Sequence, residues 1–127
     1  MKSKLRTIVV QNIEFKYLIR EQFIGYEGAK LGYWITKLRV FRSGWKNTPI
    51  EVTFKSQDGY GVGNLLTTDT ILNDNNGSFN LYKPSIIRKV IEKVMQHWNW
   101  EEEKFEIKDG MDFLKQIGFD FEGVKEE

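Results

Sequence analysis

The side chains able to carry acid–base, nucleophilic or metal chemistry are few in this chain of 127 residues. There is no cysteine, which excludes disulfides, thiolate nucleophiles and thiolate metal sites. His97 is the only histidine, so a hydrolytic triad or a zinc site would have to use it. Its position beside Trp98, near the end of an apolar helical stripe, is typical of a structural or surface histidine. We therefore predict no catalytic residue and no metal site, and favour a protein that is not an enzyme.

Two loops contain residue types found in ligand sites, but both lack the required spacing. The segment Gly59 to Asn64 is glycine-rich, yet no lysine follows it as in a phosphate-binding loop. A second segment is rich in Asp and Asn, but placing Gly77 at the sixth position of an EF-hand loop puts Leu72 first and Lys83 twelfth. We expect no cofactor at either loop. An enzyme with an unrecognised site near Gly59–Asn64 remains the second alternative function.

Basic and aromatic residues are interleaved along one predicted strand and the turn after it. The candidate residues are Lys37, Arg39, Phe41, Arg42, Trp45 and Lys46. Cations neutralise phosphates and exposed rings stack on bases, which is how single-stranded nucleic acids are bound. Strand alternation places Arg39 and Arg42 on opposite faces, and solvated sheet faces commonly carry such residues. A single-stranded nucleic-acid-binding protein is therefore the first alternative function.

The C-terminal part of the chain is acidic and aromatic, with 10 Asp/Glu against 4 Lys/Arg in residues 95–127. Aromatic residues framed by acids suit a surface that binds a basic protein, although such rings can equally fill a core. The candidate partner-binding residues are Trp98, Trp100, Glu101, Glu102 and Glu103. The favoured function is a small non-catalytic interaction protein, of bacterial accessory or inhibitor/immunity type, whose partner is another protein.

The charge is divided unevenly along the chain. Residues 1–60 carry 11 Lys/Arg and 5 Asp/Glu, whereas residues 61–127 carry 8 and 13. Such halves can form separate surfaces or attract each other within one fold. The apolar run after the basic N-terminus is too short for a signal peptide, and no stretch is long enough to span a membrane. We expect a cytoplasmic protein without a membrane partner, and the sequence leaves its oligomeric state undecided.

The first half of the sequence has the two-residue period of β-strands. Residues 13–20 alternate in hydrophobicity after the turn pair Gln11-Asn12, which predicts an N-terminal hairpin. Further strands are predicted over 33–42 and 50–55, and a short one within 65–72. Together they predict an antiparallel meander of four to five strands over residues 5–72, with one face exposed to solvent.

The second half changes to helical spacing. Pro84 suits the first position of a helix, and an apolar stripe runs to Trp98, predicting a helix over residues 84–98. Phe105 to Ile107 is a candidate short strand. Asp109 suits the N-cap of a second helix over residues 111–117, with Gly118 as its stop. We predict a single α+β domain over residues 1–127, in which the C-terminal helices cover the meander.

Overall fold

The computed structural model describes residues 5–25, 32–57, 66–67, 70–71, 78–99 and 104–119. In chain order the elements are β1 (Arg6–Val10), β2 (Ile13–Gly25), β3 (Gly32–Arg42), β4 (Ile50–Gln57), β5 (Thr70–Ile71), β6 (Ser78–Phe79), α1 (Pro84–Val94), β7 (Phe105–Ile107) and α2 (Gly110–Gln116). Strands β1 to β4 pair antiparallel in sequence order, and β7 adds to β4 to complete a five-stranded sheet. The predicted α+β class and its antiparallel meander are confirmed.

The N-terminal hairpin closes through a two-residue turn. Gln11 and Asn12 both have positive φ, at 52° and 66°. Such a pair of left-handed residues forms the turn whose twist matches that of the flanking strands. The turn sets Val10 opposite Ile13, and this register continues to Arg6 opposite Tyr17.

Alternation along the strands divides the sheet into two faces. The inner face carries the buried apolar side chains, and the outer face carries the residues between them. On β2 the inner residues include Phe15, Tyr17 and Ile19, as the sequence predicts. The other buried inner-face residues of the first four strands are Ile8, Val10, Thr36, Leu38, Val40, Ile50, Val52, Phe54 and Ser56.

Helix α1 packs on the inner face. Five of its apolar side chains belong to the same core cluster as the inner-face residues, namely Ile86, Ile87, Val90, Ile91 and Val94. Their spacing places them on one side of the helix, with exposed Arg88, Lys89 and Lys93 on the other. Pro84 opens the helix, where its missing N–H leaves no helical hydrogen bond unmade.

The first helix ends earlier than predicted, at Val94 rather than at residue 98. The amides of Gln96 and His97 bond to carbonyl oxygens three residues back, at 3.2 and 2.9 Å, so the chain leaves the helix through tight turns. Trp98 still reaches the core. Its Nε1 donates to the carbonyl oxygen of Thr48 at 3.2 Å, and its ring centroid lies 6.2 Å from that of Phe15.

The fifth strand of the main sheet is not the one predicted within residues 65–72. In that stretch Thr70–Ile71 pairs with Ser78–Phe79 in a separate two-stranded ribbon, and residues 65, 68–69 and 72 lie outside the described residues. The fifth strand is instead β7, which runs parallel to β4. A parallel pair needs a crossover connection, and α1 lies within the one that joins β4 to β7.

Helix α2 begins and ends as the sequence predicts, within one residue. The Asp109 carboxylate accepts a hydrogen bond from the Asp112 amide at 3.0 Å, which caps the helix. Gly118 has a φ of 107° just after the last turn, a conformation that favours glycine. The helix buries Phe113 and Leu114 beside β4.

Replacing Gly110 with Ala should destabilise the fold. The added Cβ would lie 2.4 Å from Cδ1 of Phe54 and 2.7 Å from the backbone oxygen of Thr53. Because pairing with β3 holds Thr53 and Phe54 in place, we expect this overpacking to lower the free energy of unfolding by about 1–3 kcal/mol. Urea denaturation followed by circular dichroism measures the loss. Arg88→Ala, at an exposed position of α1, is the control and should change stability by less than about 0.5 kcal/mol; equal losses would contradict the packing of α2 on β4.

Candidate functional site

The outer face of the sheet carries no helix in the part of the chain that the structure describes. The buried residues of both α1 and α2 belong to the core on the inner side. Most outer-face side chains of β2, β3 and β4 are exposed or half-buried. This face is therefore a surface on which an extended partner can lie.

The centre of the outer face is basic. Arg20 of β2 lies directly opposite Lys37 of β3, and both side chains are exposed. Arg39 follows Lys37 by two positions on β3 and shares its face. Lys55 of β4 lies on the same face, opposite Ile35, which precedes Lys37 by two positions. We call Arg20, Lys37, Arg39 and Lys55 the basic patch.

Arg20 and Lys37 are the unneutralised pair of this patch. Neither side chain forms a hydrogen bond or an ion pair with any of the residues described. Like charges directly opposite each other on neighbouring strands destabilise a sheet, since they repel across the short cross-strand distance. A bound anion would remove this repulsion, so the pair is the part of the outer face best suited to an anionic partner.

Acidic side chains limit the basic patch on one side. Arg39 lies opposite Glu51 of β4, and Glu51 lies beside Glu106 of β7. These two carboxylates come at the same level of the sheet and place negative charge beside Arg39 on its β7 side. The cationic surface is therefore a strip centred on β2 and β3 rather than the whole outer face.

Two other cations of the outer face already have partners. The Lys55 ammonium stands 4.4 Å from the centroid of the Tyr33 ring, a cation–π distance. The Lys16 Nζ donates to the Thr7 hydroxyl at 3.1 Å. These contacts leave Arg20 and Lys37 as the cations with the most freedom to bind a ligand.

The predicted nucleic-acid-binding residues are distributed over three environments. Lys37 and Arg39 lie exposed on the outer face, and Trp45 and Lys46 lie exposed in the turn between β3 and β4. Phe41 shares the outer face but is only 7% exposed, so its ring is not available for stacking. Arg42 lies opposite Phe15 on the inner side, as the alternation predicts. The register adds Arg20 of β2 to this face, directly opposite Lys37.

The predicted partner-binding surface is described only at its first residue. Trp98 is 3% exposed and lies in the core, so it contributes structure rather than contact surface. Trp100, Glu101, Glu102 and Glu103 lie outside the described residues, as does the Gly59–Asn64 loop. Protein binding through residues 98–103 and a site at the glycine-rich loop both stay predictions.

The inner face becomes polar beyond the end covered by α1. On β2 the inner positions change from Ile19 to Glu21, which lies opposite Thr36 of β3. The Glu21 carboxylate accepts hydrogen bonds from the Thr67 hydroxyl at 3.0 Å and from the Tyr82 hydroxyl. We call Glu21, Thr67 and Tyr82 the polar cluster. Sequence reasoning missed it, although a glutamate at an inward position of an alternating strand was a signal that it needs a partner.

Trp34 lies next to the polar cluster on the same inner face. Its ring packs against Phe23 with centroids 5.1 Å apart. Its Nε1 is buried and donates no hydrogen bond within the described structure. A buried donor without an acceptor costs free energy, so this nitrogen marks a strained end of the inner face.

The polar cluster holds Tyr82 in its neutral form. The pKa of the Tyr82 phenol is raised to about 12, chiefly by partial burial. The hydrogen bond to Glu21 and the charge of that carboxylate add to the rise, whereas the Arg6 charge opposes it. The phenol therefore remains a donor to Glu21 at neutral pH. The cluster fastens the segment before α1 to β2.

Comparisons with known proteins do not assign this chain to a family. No family model matches it, and neither a curated protein nor a solved structure does. Among the described residues, no three His, Asp or Glu side chains are grouped as metal ligands would be. The helices that the structure describes are too short and too polar to cross a bilayer. The surface geometry alone therefore supports a functional inference.

Glu21→Gln should lower the pKa of Tyr82 from about 12 towards, but not to, its ordinary value of 10.0. The substitution removes the carboxylate charge but leaves the desolvation of the phenol, which is the largest cause of the shift. Absorbance titration of tyrosinate measures the change, with the titration of Tyr82→Phe subtracted to isolate Tyr82. An unchanged pKa would contradict the contact between Glu21 and Tyr82.

The same pKa predicts how stability depends on alkaline pH. Because the phenol binds its proton more tightly in the folded than in the unfolded chain, stability should fall as pH rises from about 10 to about 12. Tyr82→Phe should lack this part of the decline. Chemical denaturation of both proteins at a series of pH values measures it, and parallel curves would contradict the expectation.

Proposed function

We propose that this protein binds single-stranded nucleic acid on the outer face of its sheet, with Arg20 and Lys37 at the centre of the contact. The observation that carries the proposal is the position of these two exposed cations, directly opposite each other and without a partner among the described residues. A phosphate seated between them would convert a repulsive pair into two charge-assisted contacts.

The shape of the cationic surface favours a flexible polyanion. Lys37 and Arg39 are two residues apart on one face of β3, which separates them by about 6.6 Å along the strand. Successive phosphates of a single strand can adjust to such spacing because its backbone is not held in a duplex. The carboxylates of Glu51 and Glu106 confine the surface to a strip, which suits a thread-like polyanion.

The side chains around the basic patch add limited contact with bases. Leu18 and Ile35 are half-buried on the outer face, opposite Arg39 and Lys55 respectively. Trp45, 38% exposed in the turn after β3, offers a ring for stacking. Most of the affinity should therefore come from phosphate contacts, which gives strong dependence on salt and little dependence on base sequence.

The proposal predicts a measurable change in the salt dependence of binding. In Arg20→Gln/Lys37→Gln, the affinity for a labelled oligodeoxythymidine should fall by about tenfold at physiological salt. The slope of log affinity against log salt should become shallower by about 0.7, since the pair neutralises one phosphate and each neutralised phosphate of a single strand contributes about 0.7. Fluorescence anisotropy over a range of salt concentrations measures both quantities.

A matched pair on the opposite side of the protein serves as the control. Arg88→Gln/Lys93→Gln removes one arginine and one lysine from the exposed side of α1, and should leave the slope unchanged. An equal loss of affinity in both double variants would mean that binding depends only on net charge, which would overturn the proposed site. Absence of binding at low salt would overturn the function. Tighter binding of polyglutamate than of the oligonucleotide would do so too, in favour of an acidic protein partner.

A further inference from the structure

Strand β1 forms one edge of the main sheet, and exposed apolar side chains lie along it. Among the described residues, it pairs with β2 on one side only. Leu5, just before the strand, is 48% exposed, and Val9 is 51% exposed. Val9 lies on the outer face with Thr7, two positions before it, and Leu5 continues the same alternation just before the strand.

The hydrogen-bonding pattern of the hairpin determines which backbone groups of β1 remain free. A two-residue turn makes its flanking residues, Val10 and Ile13, a hydrogen-bonded pair. The pairs then alternate, so the N–H and C=O groups of Thr7 and Val9 point away from β2. The Glu14 carbonyl oxygen confirms this phase, because it accepts from the Ser43 amide at 3.0 Å on the other side of β2.

Beyond Arg6, the free edge has few of the usual protections against pairing. Residues 7–10 include no proline and no charged side chain, and three of the four are β-branched aliphatics. No backbone hydrogen bond joins this edge to another segment of the chain that the structure describes. An extended strand that supplies backbone donors and acceptors is the chemical partner that fits it.

We propose that a second copy of this chain supplies that strand, with β1 pairing antiparallel to β1 about a two-fold axis at Thr7. In this register Thr7 faces Thr7, and Leu5 of each copy faces Val9 of the other. The two exposed apolar side chains of each edge are then buried against each other. Arg6 faces Ile8, so no like charges are opposed.

The adjacent symmetric register is less favourable. An axis at Ile8 would set Val9 opposite Thr7 and would leave Leu5 facing the turn residue Gln11. Shifting the β1–β1 register by one residue would place outer-face side chains of one copy opposite inner-face side chains of the other. The inner-face side chains are committed to the core, so this register is excluded. The self-complementarity of Leu5, Thr7 and Val9 therefore selects a single register.

The dimer has one consequence for the outer face. Residues directly opposite each other in an antiparallel pair point to the same side, so the two outer faces would join into one continuous surface. The helices of both copies would lie on the other side. If the proposed function holds, this places two basic patches on the same face and raises the affinity for a longer nucleic acid. The dimer itself does not depend on that function.

Sedimentation velocity on the full chain tests the dimer. The 15.0 kDa protein should associate reversibly to twice that mass as its concentration rises. Val9→Lys should weaken association by about tenfold or more, because it removes two buried valines from each dimer and places charges at the edge. Trp45→Lys, at an exposed apolar residue away from β1, should associate like the wild type.

Single cysteines test the register, since the chain has none of its own. Thr7→Cys should be cross-linked to its copy by a short bis-maleimide, because the two residues face each other. Val9→Cys should not, since the two copies of this residue would be about 13 Å apart along the strands. Denaturing gels resolve the products.

Three results would overturn the proposal. They are a wild type that stays monomeric at every concentration, a Val9→Lys variant that dimerises as well as the wild type, and equal cross-linking of the two cysteine variants. Because the cysteine variants change only exposed side chains of β1, they keep the proposal testable if Val9→Lys fails to fold. Loss of nucleic-acid binding in an intact dimer would count against the proposed function alone.

Discussion

The antiparallel pairing of β2 with β3 is the interaction on which the rest of the structure depends. It extends over eleven residue pairs, from Phe15 opposite Arg42 to Gly25 opposite Gly32. Because side chains alternate between faces, this register decides which residues enter the core and which meet solvent. A slip of one residue would bury Arg20 and expose Ile19. The apolar inner face and the basic outer face are thus two results of the same pairing.

The inner face is covered unequally along the length of this pair. Helix α1 packs where the inner positions are apolar, and its starting residue, Pro84, follows the segment held by the polar cluster. Where the inner positions become Glu21 and Thr36, hydrogen bonds replace apolar packing. The pKa of Tyr82, raised to about 12, reflects a phenol that is held as a donor. This end of the sheet is therefore maintained by directional contacts, and it includes the unpaired Nε1 of Trp34.

The outer face and the β1 edge both carry groups that are left exposed or without a partner within the described chain. On the face these are the opposed charges of Arg20 and Lys37. On the edge they are backbone hydrogen-bonding groups and the exposed side chains of Leu5 and Val9. Both sets of groups belong to the first half of the chain, where the excess of basic residues lies. Among the described acidic residues of the second half, Glu106 lies on the outer face and limits the basic strip at β7.

Local signals in the sequence were sufficient for the strands, the turn and the helices. The alternation over residues 13–20, the Gln11-Asn12 turn and the Asp109 cap each depend on neighbours a few residues away, so they could be predicted. What required the tertiary structure is contact between distant segments. The three-residue strand β7 is too short for its pairing with β4 to be predicted from local sequence. Trp98 likewise reaches the core although it lies beyond the end of α1.

The same distinction applies to the candidate site. The sequence identified Lys37 and Arg39 as cations of one strand face, because alternation is a local property. That Arg20 lies opposite Lys37, that Phe41 is buried and that Glu21 meets Tyr82 follow from register and packing across long separations. Composition and spacing determine which side chains a strand presents. Only the alignment of strands with one another decides which of those side chains share a surface, since it is set by the free energy of the whole core.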